Sequence, residues 1–186
     1  LLPGGTWAKS TNLTIGNNGT GILNVSGSGA VSLNAGSGTA TLASGTGTGT
    51  LNIGTGAEAG AFSAATITTG SGAGTVIFNH TDTALLTASV RGATVLTKQG
   101  TGTAMLSGSN SYTGGTTVTA GRLLIMGDST NVTGTTSVQA GATLGGVGEI
   151  GGAIEILAGG TLAPGAEIGA FSLAGTLAMS AGSNLV

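Results

Sequence analysis

The feature that most limits what this chain can become is a short motif that returns at nearly constant spacing. Residues 119–123 read TAGRL, 139–144 read QAGATL and 157–162 read LAGGTL, so an A-G-x-L or A-G-x-T-L signature recurs, and its glycines Gly121, Gly141 and Gly159 follow one another at intervals of 20 and 18. Short patches alternate aliphatic and polar residues around it: Leu13/Ile15, Leu23/Val25, Val31/Leu33, Leu51/Ile53, Val76/Phe78, Leu123/Ile125, Ile154/Ile156, Phe171/Leu173 and Leu177/Met179. A period of two over a few positions is the mark of a half-buried strand. The pieces between, such as SGSG, GTGTG and TGSGAG, read as turns. Setting NLTIG (12–16) on TLNIG (50–54) aligns Leu13 with Leu51 and Ile15 with Ile53 at an offset of 38, which halves to 19. No long window offers a helical apolar period. A repeat unit of this size, about 18–20 positions holding two or three strands, is one coil of a parallel β-helix. The expected fold is therefore an all-β solenoid of about nine rungs with essentially no helix, a single unit over residues 1–186.

Composition suits such a coil and excludes several alternatives. Inward positions of a narrow winding need aliphatic or small side chains, corners need residues that tolerate positive φ, and outward positions favour β-branched residues that stack without repulsion. The chain has 39 glycines, 39% hydrophobic residues and only 5% charged residues. Disordered chains are poor in apolar residues and rich in charge, and collagen needs glycine at every third position with abundant proline; here there are two prolines and no such period. With no cysteine, neither disulfides nor thiolate chemistry is available. Lys9, Arg91, Lys98 and Arg122 are the four cations and the net charge is −2, which gives a phosphate backbone no basic footprint, so no nucleic-acid partner is expected. The longest fully aliphatic run, Leu123 to Met126, falls far short of the roughly 20 residues that cross a bilayer. This stretch is not expected to insert into a membrane. No charged-then-apolar leader opens it.

Residues 96–129, LTKQGTGTAMLSGSNSYTGGTTVTAGRLLIMGDS, resemble the autotransporter-associated β-strand repeat, whose pattern runs as leucine, lysine, G-x-G-T, a short strand, N-x-Y-T-G-G-T, a valine strand and A-G-x-L. Lys98, Gly100, Gly102, Thr103, Leu106, Asn110, Tyr112, Thr113, Gly114, Gly115, Thr116, Val118, Ala120, Gly121 and Leu123 match it, placing the repeat at about 96–125. Residues 49–82 and 144–165 are similar to the segments that flank such a repeat. The resemblance implies a right-handed parallel β-helical passenger of a Gram-negative type V secretion system, displayed on or shed from the outer membrane. It also implies that a signal peptide and a membrane barrel lie elsewhere, so that this chain is a piece of a longer passenger.

Several strings invite a chemical reading. GDS (127–129) is similar to the nucleophile block of GDSL esterases, but those need a histidine after the serine, and His80 precedes Ser129. Ser129 is expected in a loop. His80 and Asp82 in FNHTD could be a base and its orienting acid, yet no G-x-S-x-G accompanies them, and a corner histidine bonded to nearby backbone is the expectation. Residues 146–151 spell G-x-G-x-x-G, a dinucleotide signal only between a strand and a helix, and another strand follows. Six acidic residues scattered over the chain cannot build ordered calcium repeats. No metal, cofactor or catalytic residue is expected. Tyr112 reads as packing over Gly114 and Gly115 rather than as a sugar platform. The N-x-[ST] sequons at Asn12, Asn18, Asn24, Asn79 and Asn131 carry little weight in Asn/Thr-rich sequence.

Thr-x-Thr pairs at 39/41, 46/48, 48/50, 66/68, 81/83, 101/103 and 117/119 are what an ice-binding solenoid would use, but their successive spacings lack a constant register. The leading expectation is an extracellular structural or adhesive rod with a host-cell, matrix or glycan receptor, and with side-to-side or head-to-tail association between copies. A passive stalk for an enzyme elsewhere in the full chain is the second reading, and an ice-binding solenoid is a remote third.

Overall fold

The computed structural model describes residues 5–165 and 169–186. These residues form short parallel strands that wind around one axis and stack into three faces. The first face is a continuous eight-stranded sheet made of Thr20–Val25, Thr48–Ile53, Ala73–Asn79, Val95–Gln99, Thr116–Val118, Thr136–Val138, Ile154–Ile156 and Leu177–Met179. The second begins as Leu13–Ile15, Thr39–Leu42, Thr66–Thr69, Ser89–Gly92 and Ser111–Tyr112, and continues as Asp128–Ser129, Glu149–Ile150 and Ser172–Leu173. Thr6–Lys9, Ala30–Leu33 and Ala61–Ser63 open the third face, and six strands from Thr83–Leu86 to Asn184–Leu185 complete it. Among the described residues there is no α-helix, only one 3-10 turn at Asn34–Gly36.

The first face counts about eight turns, where the sequence suggests nine. The difference comes from coil length. On this face Thr20 pairs with Thr48 and Thr48 with Ala73, so the first two steps along the sequence are 28 and 25. The next three steps are 20 each, and the last two are 18 and 23. The 18–20 period thus belongs to the middle of the chain, and the offset of 38 between NLTIG and TLNIG is not a structural one. Leu13 lies on the second face and pairs with Ala40, whereas Leu51 lies on the first and pairs with Leu23. Two strands of like pattern on different faces had mimicked one repeat.

Alternation explains the packing. In most strands every second side chain turns inward and meets its register partner one coil away, about 4.8 Å along the axis. Leu51, Val76 and Leu96 form one such inward column, and Leu123, Leu144 and Leu162 another. All six are buried, and each such side chain contributes roughly 1.5–3 kcal/mol. Together the columns make one unbroken core along the rod.

Candidate functional site

The repeat at 96–125 contains the polar residues of the interior. In Val95–Gln99, alternation sends Leu96 and Lys98 inward and Thr97 and Gln99 outward. Lys98 therefore enters a column otherwise filled by Val25, Ile53, Phe78, Val118, Val138 and Ile156, and it is fully buried. Among the described residues no carboxylate pairs with it. Its Nζ reaches the corner and donates to the main-chain carbonyls of Gln99 (2.5 Å), Gly100 (2.8 Å) and Ala120 (3.4 Å), so its three donors have three acceptors drawn from two coils. Burial lowers its pKa from 10.5 to about 8. The glycine of A-G-x-L completes this corner. Gly121 has φ 65°, and a Cβ there would lie 2.4 Å from the Gly102 oxygen and 2.9 Å from the lysine Nζ.

Asn110 and Tyr112 lie at the next strand, Ser111–Tyr112, Asn110 just before it and Tyr112 within it. The buried Asn110 carboxamide accepts from the Val90 N–H (2.9 Å) and donates to the Gly108 carbonyl (3.0 Å) and to Ser129 Oγ (3.0 Å), which joins three successive coils. Tyr112 is buried, and its hydroxyl bonds Thr116 Oγ1 at 2.8 Å. Thr116 is inward and stacks on Thr136 of the following coil. The other motif positions serve the same corners or the core. Gly100 has φ 67°, Gly102 packs on the Asp82 carbonyl, Gly114 packs on the Thr94 carbonyl, and the Gly115 carbonyl accepts from the Leu96 N–H. Thr113 donates its N–H to Gly92, Leu106, Val118 and Leu123 are buried, and Thr103 faces outward.

None of the chemical strings assembles a reactive constellation. His80 and Asp82 do meet, with Nδ1 3.1 Å from the Asp82 carbonyl and 3.2 Å from its Oδ1, while that carboxylate also accepts from the Ala59 N–H. Burial, and then the Lys98 charge, hold the imidazole pKa below its usual value, so it is neutral at pH 7. Among the described residues its buried Nε2 has no hydrogen-bond partner. Ser129 is likewise buried, bonded to Asn110 and not to a histidine. Beside it, the Thr130 hydroxyl and amide hold the Asp128 carboxyl below the usual carboxylate range. Residues 146–151 lead into strands, not a helix. Among the described residues no three His, Asp or Glu side chains stand together as a metal site.

Outside, the faces are columns of hydroxyls and amides. The first face presents Asn24, Asn52, Ile77, Thr97, Thr117, Ser137 and Glu155 in register. On the second, Thr39 and Thr41 stack on Thr66 and Thr68, with Thr14 before them and Ser89 and Arg91 after. The two Thr-x-Thr pairs share a register that the sequence spacing hid, because the long coil between them sets Thr39 opposite Thr66. Sequence reasoning also missed the carboxamides of Asn24, Asn52, Asn79 and Gln99. Only the true coil lengths bring them to one part of the first face.

Comparison with known proteins points to the same segment. A family model described as the passenger-associated-transport-repeat matches residues 96–125. The chain carries an autotransporter passenger repeat. An autotransporter of Brucella suis biovar 1 (strain 1330), the adhesin BmaC, is 44% identical over 110 residues, which is 59% of this chain and 3% of that protein. This chain thus spans a small part of the length of the relative it matches. No solved structure matches it.

Proposed function

We propose that this passenger stretch is a surface-displayed adhesive rod and performs no catalysis of its own. The observation that carries the reading is the exterior of the first face, where, apart from Ile77 and Glu155, hydroxyls and carboxamides run in register from Asn24 to Ser137. Such a surface offers many hydrogen-bond donors and acceptors at about 4.8 Å spacing, without the desolvation cost of ions. The similarity to a protein named an adhesin and an autotransporter supports both the role and display outside the outer membrane. Side-to-side contact between copies through the same columns belongs to this reading, and light scattering across a concentration series tests it.

The decisive experiment displays the chain on a non-adherent bacterium and counts bacteria retained on epithelial cells and on extracellular matrix. Retention above that of a bacterium displaying an unrelated solenoid of equal length supports the adhesive rod. Equal retention assigns the chain to passive spacing, the role of a stalk for a domain elsewhere.

A further inference from the structure

The first face carries a hollow about 290 Å³ in volume, lined by Asn24, Asn52, Gly54, Thr55, Ile77, Asn79 and Gln99. Its shape follows from register. Asn24, Asn52 and Ile77 form one outward column over the first three coils, and Asn79 and Gln99 form the column two positions further on, over the third and fourth. At the level of that second column, one coil before Asn79, stands Gly54, with φ 83°, where a Cβ would come 2.4 Å from the Asn79 carbonyl oxygen. No side chain can fill that position, so the hollow is built into the wall. It spans three coil steps by two positions along the strand, roughly 14 Å by 7 Å.

The lining has a definite chemistry. Asn52 Nδ2 donates to Asn24 Oδ1 at 2.6 Å, which fixes the first pair of amides and leaves Asn52 Oδ1 as an open acceptor. Among the described residues the Asn79 and Gln99 carboxamides make no side-chain hydrogen bond and no ionisable side chain lines the hollow. Gln99 is also held firmly, because its main-chain carbonyl is one of the three acceptors of the buried Lys98 ammonium. Each carboxamide presents a donor and an acceptor side by side, a pattern that matches vicinal hydroxyls or an acetamido group, and Ile77 offers an apolar patch for a ring face or a methyl. Carboxamides without charge favour a neutral polyol over an anionic one.

We propose that this hollow is a binding site for a neutral oligosaccharide of two or three rings, contacted by Asn52, Asn79 and Gln99. The proposal rests on the adhesive reading above and names its receptor chemistry. The test records side-chain amide and Ile methyl signals by NMR on the whole chain while triacetylchitotriose, maltotriose or a sulfated heparin disaccharide is added to about 20 mM, well beyond a millimolar Kd. Shifts confined to the amides of Asn52, Asn79 and Gln99 and to Ile77 with a neutral sugar, weakened at least tenfold in N52A/Q99A, support the site. Thr143→Ala, on the third face, should leave them unchanged. The proposal is overturned by silence with both neutral sugars, by response to the sulfated sugar alone, by shifts elsewhere, or by equal binding in the double variant. Should that variant not fold, the location of the shifts in the unaltered chain still decides. Retention on cells, measured with the same proteins, separates the two ideas: adhesion without saccharide binding removes this site alone, and saccharide binding without adhesion removes the adhesive reading alone.

Discussion

The first three coils and the repeat coils that follow are two solutions to the same winding. The early coils are the long ones, taking Thr20 to Thr48 and Thr48 to Ala73, and their inward columns are wholly apolar on the first face, with Val25, Ile53 and Phe78 in one column and Leu51 and Val76 in the other. The repeat coils are shorter and equal, taking Leu96 to Thr116 and Thr116 to Thr136, and the same two columns carry Lys98 and then Thr116 and Thr136. Apolar contact is non-directional and tolerates changes in corner length. Polar contacts inside the rod are not so forgiving, because Lys98, Asn110 and Tyr112 each need partners at hydrogen-bond distance. A fixed coil length and a legible motif are therefore one phenomenon: the sequence is strict where the interior is polar and loose where it is greasy.

That contrast can be broken in order of size. Asn110→Ala should have the largest effect, about 4 kcal/mol lost in urea unfolding, since the Val90 N–H and Ser129 Oγ would be left buried and unpaired. A loss under about 1 kcal/mol would show that the polar corner is not what fixes the repeat coils.

The lysine comes next and is read through pH. Its folded pKa of about 8 lies below its ordinary 10.5, so the unfolded chain binds the proton more tightly in that window. Stability should be flat just below pH 8 and rise towards pH 10.5 by about 3 kcal/mol at most. In Lys98→Met this rise should disappear, and a variant that keeps the wild-type slope would place the titration elsewhere. Tyr112 works the other way above pH 10, where burial keeps the folded phenol protonated while the unfolded one ionises. His80 adds a fall below pH 6.5, because its lowered folded pKa leaves the unfolded state with the greater proton affinity.

Tyr112→Phe removes one buried hydroxyl bond to Thr116 and should cost about 1–1.5 kcal/mol at pH 7. At the small end, Asn52→Ala in the exterior of the early coils should stay within about 0.5 kcal/mol, as an exposed ladder residue whose single side-chain bond competes with water. Thermal melts of the two variants side by side would show whether interior and exterior polar groups differ as expected.

Much of this architecture could be read from residues. The aliphatic pairs from Leu13/Ile15 to Ile154/Ile156 all lie in strands, and Gly121, Gly141 and Gly159 all take positive φ at corners. The motif residues of the repeat were identifiable from their pattern, although the pattern did not reveal that Lys98 is inward and anchored to three carbonyls. Length misled in the early coils. Leu13 and Leu51 carry the same local signal on different faces, and nothing in so short a strand states which face it joins. The carboxamide hollow was invisible for the same reason, since Asn24 and Asn52 are neighbours only because the long coil between them closes in that register.

By itself the sequence determined that the chain winds as parallel strands, because its period-two aliphatic patches recur with an A-G-x-L signature at the spacing of one coil. It also determined which coil is the repeat. Only the tertiary structure decided the coil lengths, the face each strand occupies and hence which outward side chains become neighbours. Those depend on contacts between residues a whole coil apart, and closure of each coil fixes them while local propensity does not.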